Sequence, residues 1–254
     1  MARVDEITKY YKASETLDSI ANVLFYIVAL SAITIPLLDQ EHIKSYLAAF
    51  FILIVVMYFI VRYSSVLFFL PNAEKMRRKQ LISNSFAIPL THEKTEEYYN
   101  NPYSPSVKRL GANVLENSLF SQRILQVMLP RERVKIVLYI GLWVAALASR
   151  NICQDVIMVI SQSVFSAEVL ARWVSMELLR NRYCEVYNDL YKVFLLKQHE
   201  GPESVPLILD ALSNYECAKA AAGIKLSTKI FDKLNPIVTR EWEDIKAKLG
   251  IVSS

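Results

Sequence analysis

The sequence predicts an all-α integral membrane protein with two transmembrane helical hairpins and a helical cytoplasmic domain. Three observations carry that fold class. Uncharged apolar runs alternate with densely charged stretches along the chain. Hydrophobic residues make up 53% of the 254 residues and charged residues 21%. Only five glycines occur, and the period-two alternation of half-buried strands is scarce. The expected segments are 1–70 (an N-terminal helix and the first hairpin), 71–133 (cytoplasmic), 134–171 (the second hairpin) and 172–254 (a cytoplasmic helical tail).

Ser19 to Leu38 is twenty residues without a charge, the length that crosses a bilayer core as a helix. A largely polar stretch precedes it and no small-residue cleavage site follows, so a retained span is expected rather than a signal peptide. Ser45 to Val61 gives a second run of seventeen, and the short link from Asp39 to Lys44 makes the pair a tight hairpin. Ile136 to Ser149 and Val156 to Ala167 are shorter, at fourteen and twelve residues. Runs of that length also occur as buried helices of soluble proteins. Lys135 and Arg150 can snorkel at the ends of the third run, and Arg150 to Asp155 repeats the short hairpin link. Four spans are therefore expected, with two spans plus a soluble bundle as the alternative.

Basic residues set the orientation. Each hairpin tip holds one, Lys44 or Arg150, whereas 62–135 and 172–254 hold twelve apiece. Positive residues favour the cytoplasmic side, so both tips face out and both termini face in.

Between the hairpins, Asn72 to Phe86 reads as a charged helix, and Pro89, Pro102 and Pro105 mark an irregular stretch. Ser106 is a helix cap. Leu110, Val114, Phe120, Ile124 and Met128 follow at near-helical spacing up to Pro130, which is expected to end the element. Helical patterning after the fourth run extends to about His199, and Gly201-Pro202 breaks it. Two or three helices follow, with a turn at Asn235-Pro236 and Thr239 capping a last amphipathic helix through Trp242, Ile245 and Leu249.

Net charge is +4, too small for a dedicated duplex-DNA binder. Cys153, Cys184 and Cys217 have no metal-type spacing and read as reduced thiols, and His42, His92 and His199 are far apart. No phosphate-cradling glycine loop, nucleophile elbow or metalloprotease helix is present, so no enzyme and no cofactor is expected.

Two constellations stand out. Gln154, Ser161, Phe165, Glu168, Arg172 and Ser175 share one stripe of the fourth helix at 100° per residue. They read either as the lining of a conduit, with Phe165 as a constriction, or as the membrane exit and helix-packing positions. Arg77, Arg78, Lys79, Tyr98, Tyr99, Lys108, Arg109 and Arg123 interleave bases with aromatics. Such a set suits phosphates and stacked nucleobases, or it reflects topology and anionic lipid.

The order hairpin, charged segment, hairpin, helical tail resembles the bacterial SMODS-associating four-transmembrane effectors over most of the chain. Phe86-Ala87-Ile88-Pro89-Leu90 after the first hairpin supports the resemblance, although Ala87 and Leu90 replace the Asp and Trp usual there. The transmembrane effector of Hailong-type antiphage defence is a sister candidate. The resemblance implies a homo-oligomeric channel, expected to be a tetramer, in the bacterial inner membrane. It would be gated by a nucleotide or short single-stranded oligonucleotide from a partner nucleotidyltransferase, and opening would depolarise the membrane and stop growth. A membrane-anchored scaffold and a small transporter are the competing readings.

Overall fold

The computed structural model describes residues 4–35, 40–93, 95–96, 98–99, 101–148 and 167–251. The described chain is all-α apart from one pair of two-residue strands. In order it forms β1 (Val4–Asp5), α1 (Thr8–Thr34), α2 (Glu41–Ser64), a π-helical turn (Ser65–Phe69) and α3 (Leu70–Phe86). Then come β2 (Thr95–Glu96), α4 (Val107–Ala148), α5 (Ala167–Leu195), a 3-10 turn (Gln198–Glu200), α6 (Ser204–Ala222) and α7 (Thr228–Leu249). The strands pair antiparallel, Val4 with Glu96 and Asp5 with Thr95. The chain divides into two compact units, one of residues 1–10, 71–130 and 175–254, the other of residues 11–70 and 131–174.

The first unit is built around the start of α4. Leu110, Ala112, Val114, Leu115, Leu119, Leu125 and Leu129 are buried, and they point to more than one face of that helix. A helix apolar nearly all round must be clothed by neighbours, and four helices do this. Ser85 of α3 bonds Asn113 at 3.0 Å, Cys184 of α5 bonds Gln122 at 3.0 Å, and Tyr215 of α6 bonds Ser121 at 3.2 Å. Phe231 of α7 meets Phe120 at 5.8 Å between ring centres. At Gly111 a Cβ would lie 2.9 Å from Ile208 Cδ1, so any larger residue would push the Ile208 side chain of α6 aside.

Local signals end these helices where expected in some places and not in others. Ser106 Oγ accepts from the Arg109 N–H at 3.2 Å and caps α4. Gly223 and Gly250, at φ 56° and 65°, follow α6 and α7 in the left-handed conformation that side chains disfavour. Pro130, however, does not end α4. The helix continues to Ala148, because Leu125 and Leu129 before it and Ile136 after it are buried and hold both sides in register. Pro236 likewise lies inside α7, which starts at Thr228 behind the Ser227 cap. Thr239 is therefore an interior residue, its hydroxyl donating to Asn235 Oδ1 at 3.4 Å. Each proline lies at a solvent-exposed position of its helix. The helix before Gly201 stops at Leu195, short of His199, and Lys197 turns left-handed at φ 56°.

In the second unit α1 and α2 pack antiparallel. Ser14 meets Ser65 at 2.8 Å, Asp18 meets Arg62 at 2.9 Å, and Phe25 meets Tyr58 at 6.2 Å between ring centres. Residue numbers rise along one helix as they fall along the other, which defines a hairpin. The helix from Ser45 to Phe86 is long and apolar enough to cross a membrane, with a mean hydropathy of 2.2 over its most apolar window. Only 6% of that window is buried. The π turn lies where Pro71 would press its ring on the Leu67 carbonyl in an ordinary helix, and the wider turn gives that carbonyl room.

Candidate functional site

The second unit sorts its residues in a way that water would not favour. Leu30, Ile52, Ile60 and Val137 are more than 60% exposed, on α1, α2 and α4. Burying each would be worth roughly 1.5–3 kcal/mol, and contiguous exposed apolar faces of this kind mark protein-interaction or membrane surfaces. Its polar groups converge instead. Arg62 Nη1 donates to Asp18 Oδ1 at 2.9 Å, and Ser65 Oγ donates to the same carboxylate oxygen at 3.1 Å. Lys135 Nζ donates to Glu132 Oε1 at 3.0 Å.

These pairs and Arg172 line one cleft of about 480 Å³, counting the space open to solvent, walled on its apolar side by Ala21, Phe25 and Tyr58. Asp18 immediately precedes the first apolar run, Arg62 follows the second and Lys135 precedes the third. Arg172 lies four residues beyond Glu168, which closes the fourth. The fold therefore brings the charged ends of four apolar runs to one place. The cost of isolating charge is lowest when such groups share one solvated cleft.

Of the stripe read from the fourth helix, Gln154, Ser161 and Phe165 lie outside the described residues. Glu168 is on the first turn of α5. Arg172 lines the cleft, and Ser175, three residues on, is half-buried on α5.

The basic and aromatic residues of the first unit are spread over several contacts. Arg77 donates to both carboxylate oxygens of Asp5, at 3.1 and 2.9 Å, and lies 4.5 Å over the Tyr98 ring. Asp5 also accepts from the Ile7 N–H and the Thr8 hydroxyl, so one carboxylate fixes the start of α1 and a guanidinium of α3. Tyr98 meets Tyr99 edge-on at 4.8 Å. Tyr99 is buried, its hydroxyl accepts from Asn117 at 3.4 Å, and burial pushes its pKa well above the ordinary value. Arg78 pairs with Glu216 at 3.6 Å, and Arg123 grips Glu241 with two nitrogens. Lys79 is half-buried on α3.

Lys108 sits 4.3 Å over the Tyr103 ring and 3.9 Å from Glu200, and Arg109 donates to Asn84 Oδ1 at 3.2 Å. Asn84 also accepts from Asn113, which bonds Asn101, so an asparagine ladder joins α3, α4 and the loop between them. Tyr103 stacks on Phe194, and Phe194 on His199. Burial and the nearby Glu200 raise the Tyr103 hydroxyl to about 12, which keeps it neutral. Sequence reasoning named these basic residues but not their carboxylate partners. Asp18, Arg62, Glu132 and Lys135 were legible only as the charges bounding apolar runs.

Among the described residues no three His, Cys, Asp or Glu side chains are grouped to hold a metal ion. The chain matches no protein-family model, and no curated protein or solved structure is significantly similar to it.

Proposed function

We propose that the chain is a pore-forming effector of the bacterial inner membrane. In this reading residues 19–38, 45–61, 136–149 and 156–167 cross the bilayer as two hairpins, with both termini and residues 71–133 and 172–254 in the cytoplasm. Several copies, most simply four, enclose the conduction path, and Gln154, Ser161, Phe165, Glu168, Arg172 and Ser175 face it. A nucleotide or short oligonucleotide from a partner nucleotidyltransferase controls opening, and the open pore depolarises the cell.

The carrying observation is the cleft that gathers Asp18, Arg62, Lys135 and Arg172 while the apolar faces of the same helices point outward. A four-span unit with one charged, solvated end has this distribution, and such an end is a mouth through which ions can enter.

Ion flux from liposomes carrying the purified full chain tests the reading, with and without short oligonucleotides and cyclic nucleotides. The expected result is leak that responds to one of these ligands. Protein inserted at normal abundance that carries no current under any condition would overturn it. One observation favours a second reading, a membrane-anchored scaffold without nucleotide control. Arg77, Arg78 and Arg123 are each engaged by a carboxylate of the same unit, which leaves less free charge for phosphate.

A further inference from the structure

The cleft of the second unit carries more positive than negative charge, and the surplus falls on one residue. Arg62 is matched by Asp18 at 2.9 Å and Lys135 by Glu132 at 3.0 Å. Arg172 lies within electrostatic reach of Arg62, Glu132 and Asp18, yet forms no hydrogen bond or ion pair among the described residues. Asp18 and Glu132, the carboxylates in its reach among the described side chains, already accept from Arg62 and Lys135. A guanidinium carries five donors in a planar fork that matches the oxygens of a phosphate.

The opposite wall is apolar, formed by Phe25 and Tyr58. A cationic group set against an apolar wall suits an amphiphile better than a small soluble anion. We propose that this cleft binds the phosphodiester of an anionic membrane lipid, with Arg172 as the principal donor and Phe25 and Tyr58 against the glycerol and upper acyl chain. The inference rests on the membrane-spanning reading of this unit. It concerns a site separate from the basic and aromatic residues, Arg77 to Arg123, whose pattern in the sequence suits phosphates and nucleobases. A lipid held there would tie Arg172 to the α1–α2 hairpin, so lipid composition would bias the unit that conducts.

The test titrates the full chain in mild detergent with short-chain phosphatidylglycerol and phosphatidylcholine, with bound lipid counted by native mass spectrometry. Wild type should hold the anionic lipid about fivefold more tightly, the effect of one basic residue near an anionic lipid. Arg172→Gln should abolish that preference, and Arg182→Gln, on an exposed surface pair, should leave it unchanged. Lys135→Gln removes a second cation from the same cleft and should also lower the preference, which keeps the test decisive if Arg172→Gln does not fold. Equal affinity for the two lipids, or a preference that survives both cleft variants, overturns the proposal. Displacement of the lipid by millimolar inorganic phosphate would assign the cleft to a soluble phosphate and overturn the lipid assignment. A chain that inserts into liposomes and conducts without lipid preference defeats this inference alone. A chain that never enters membranes defeats the functional reading beneath it.

Discussion

The two units of this chain solve the burial problem in opposite senses. In the unit of residues 1–10, 71–130 and 175–254, large side chains such as Trp242, Tyr183 and Phe194 are fully buried, and charged pairs brace the outside. In the unit of residues 11–70 and 131–174, apolar side chains point outward, while serines and charges meet between the helices. In both, polar groups find partners. What differs is where each unit leaves its apolar side chains, and overall composition cannot reveal that because it averages the two.

The comparison can be broken at its strongest point by removing the largest buried side chain. Trp242→Ala should destabilise the first unit by about 3–5 kcal/mol, the cost of an aromatic cavity in a packed core. Urea unfolding of detergent-solubilised protein, followed by a probe in α7, measures this. A loss under about 1 kcal/mol would mean that the core is far looser than the burial of Trp242 implies.

A charge on the outward face of the second unit sharpens the contrast. Leu53 is 55% exposed in the middle of α2. On a water-facing surface Leu53→Arg would change stability by no more than about 0.5 kcal/mol. In a bilayer it should cost roughly 2.5–3.5 kcal/mol and reduce the membrane-inserted fraction. Fractionation of cells expressing the variant distinguishes the two, and normal insertion would place that face in water.

The smallest effect is a pH dependence confined to the first unit. His199 is buried against Phe194, and burial together with nearby Lys108 lowers its pKa from the ordinary 6.5. The unfolded chain therefore takes up a proton at a pH where the folded chain does not. Stability is highest above pH 6.5 and declines as pH falls from 6.5 through the lowered folded value. His199→Gln should flatten the thermal-melting profile across that window and leave the profile above pH 7 unchanged. A slope that persists in the variant would assign the titration to another group.

Much of the helical content was legible locally. Ser106 as a cap and Trp242, Ile245 and Leu249 as one buried stripe follow from short-range chemistry, and the structure places them so. Pro130 and Pro236 read as breaks because proline removes a donor and crowds the preceding turn, a penalty of roughly 3 kcal/mol. Packing on both sides outweighed it. The pairings of Arg77 with Asp5 and Arg123 with Glu241 join residues 72 and 118 apart in sequence. No local pattern announces such partners, so the same arginines looked available for phosphate.

The sequence alone determined that this chain is helical, where its apolar runs begin and end, and which charges bound them. Those properties depend on neighbours within a few residues, through backbone hydrogen bonding, side-chain period and charge. Only the tertiary structure decided that Asp18, Arg62, Glu132, Lys135 and Arg172 share a single cleft, and that Arg62 takes Asp18 while Lys135 takes Glu132. That outcome depends on how separate helices pack, and a charge acquires its environment only when distant segments meet.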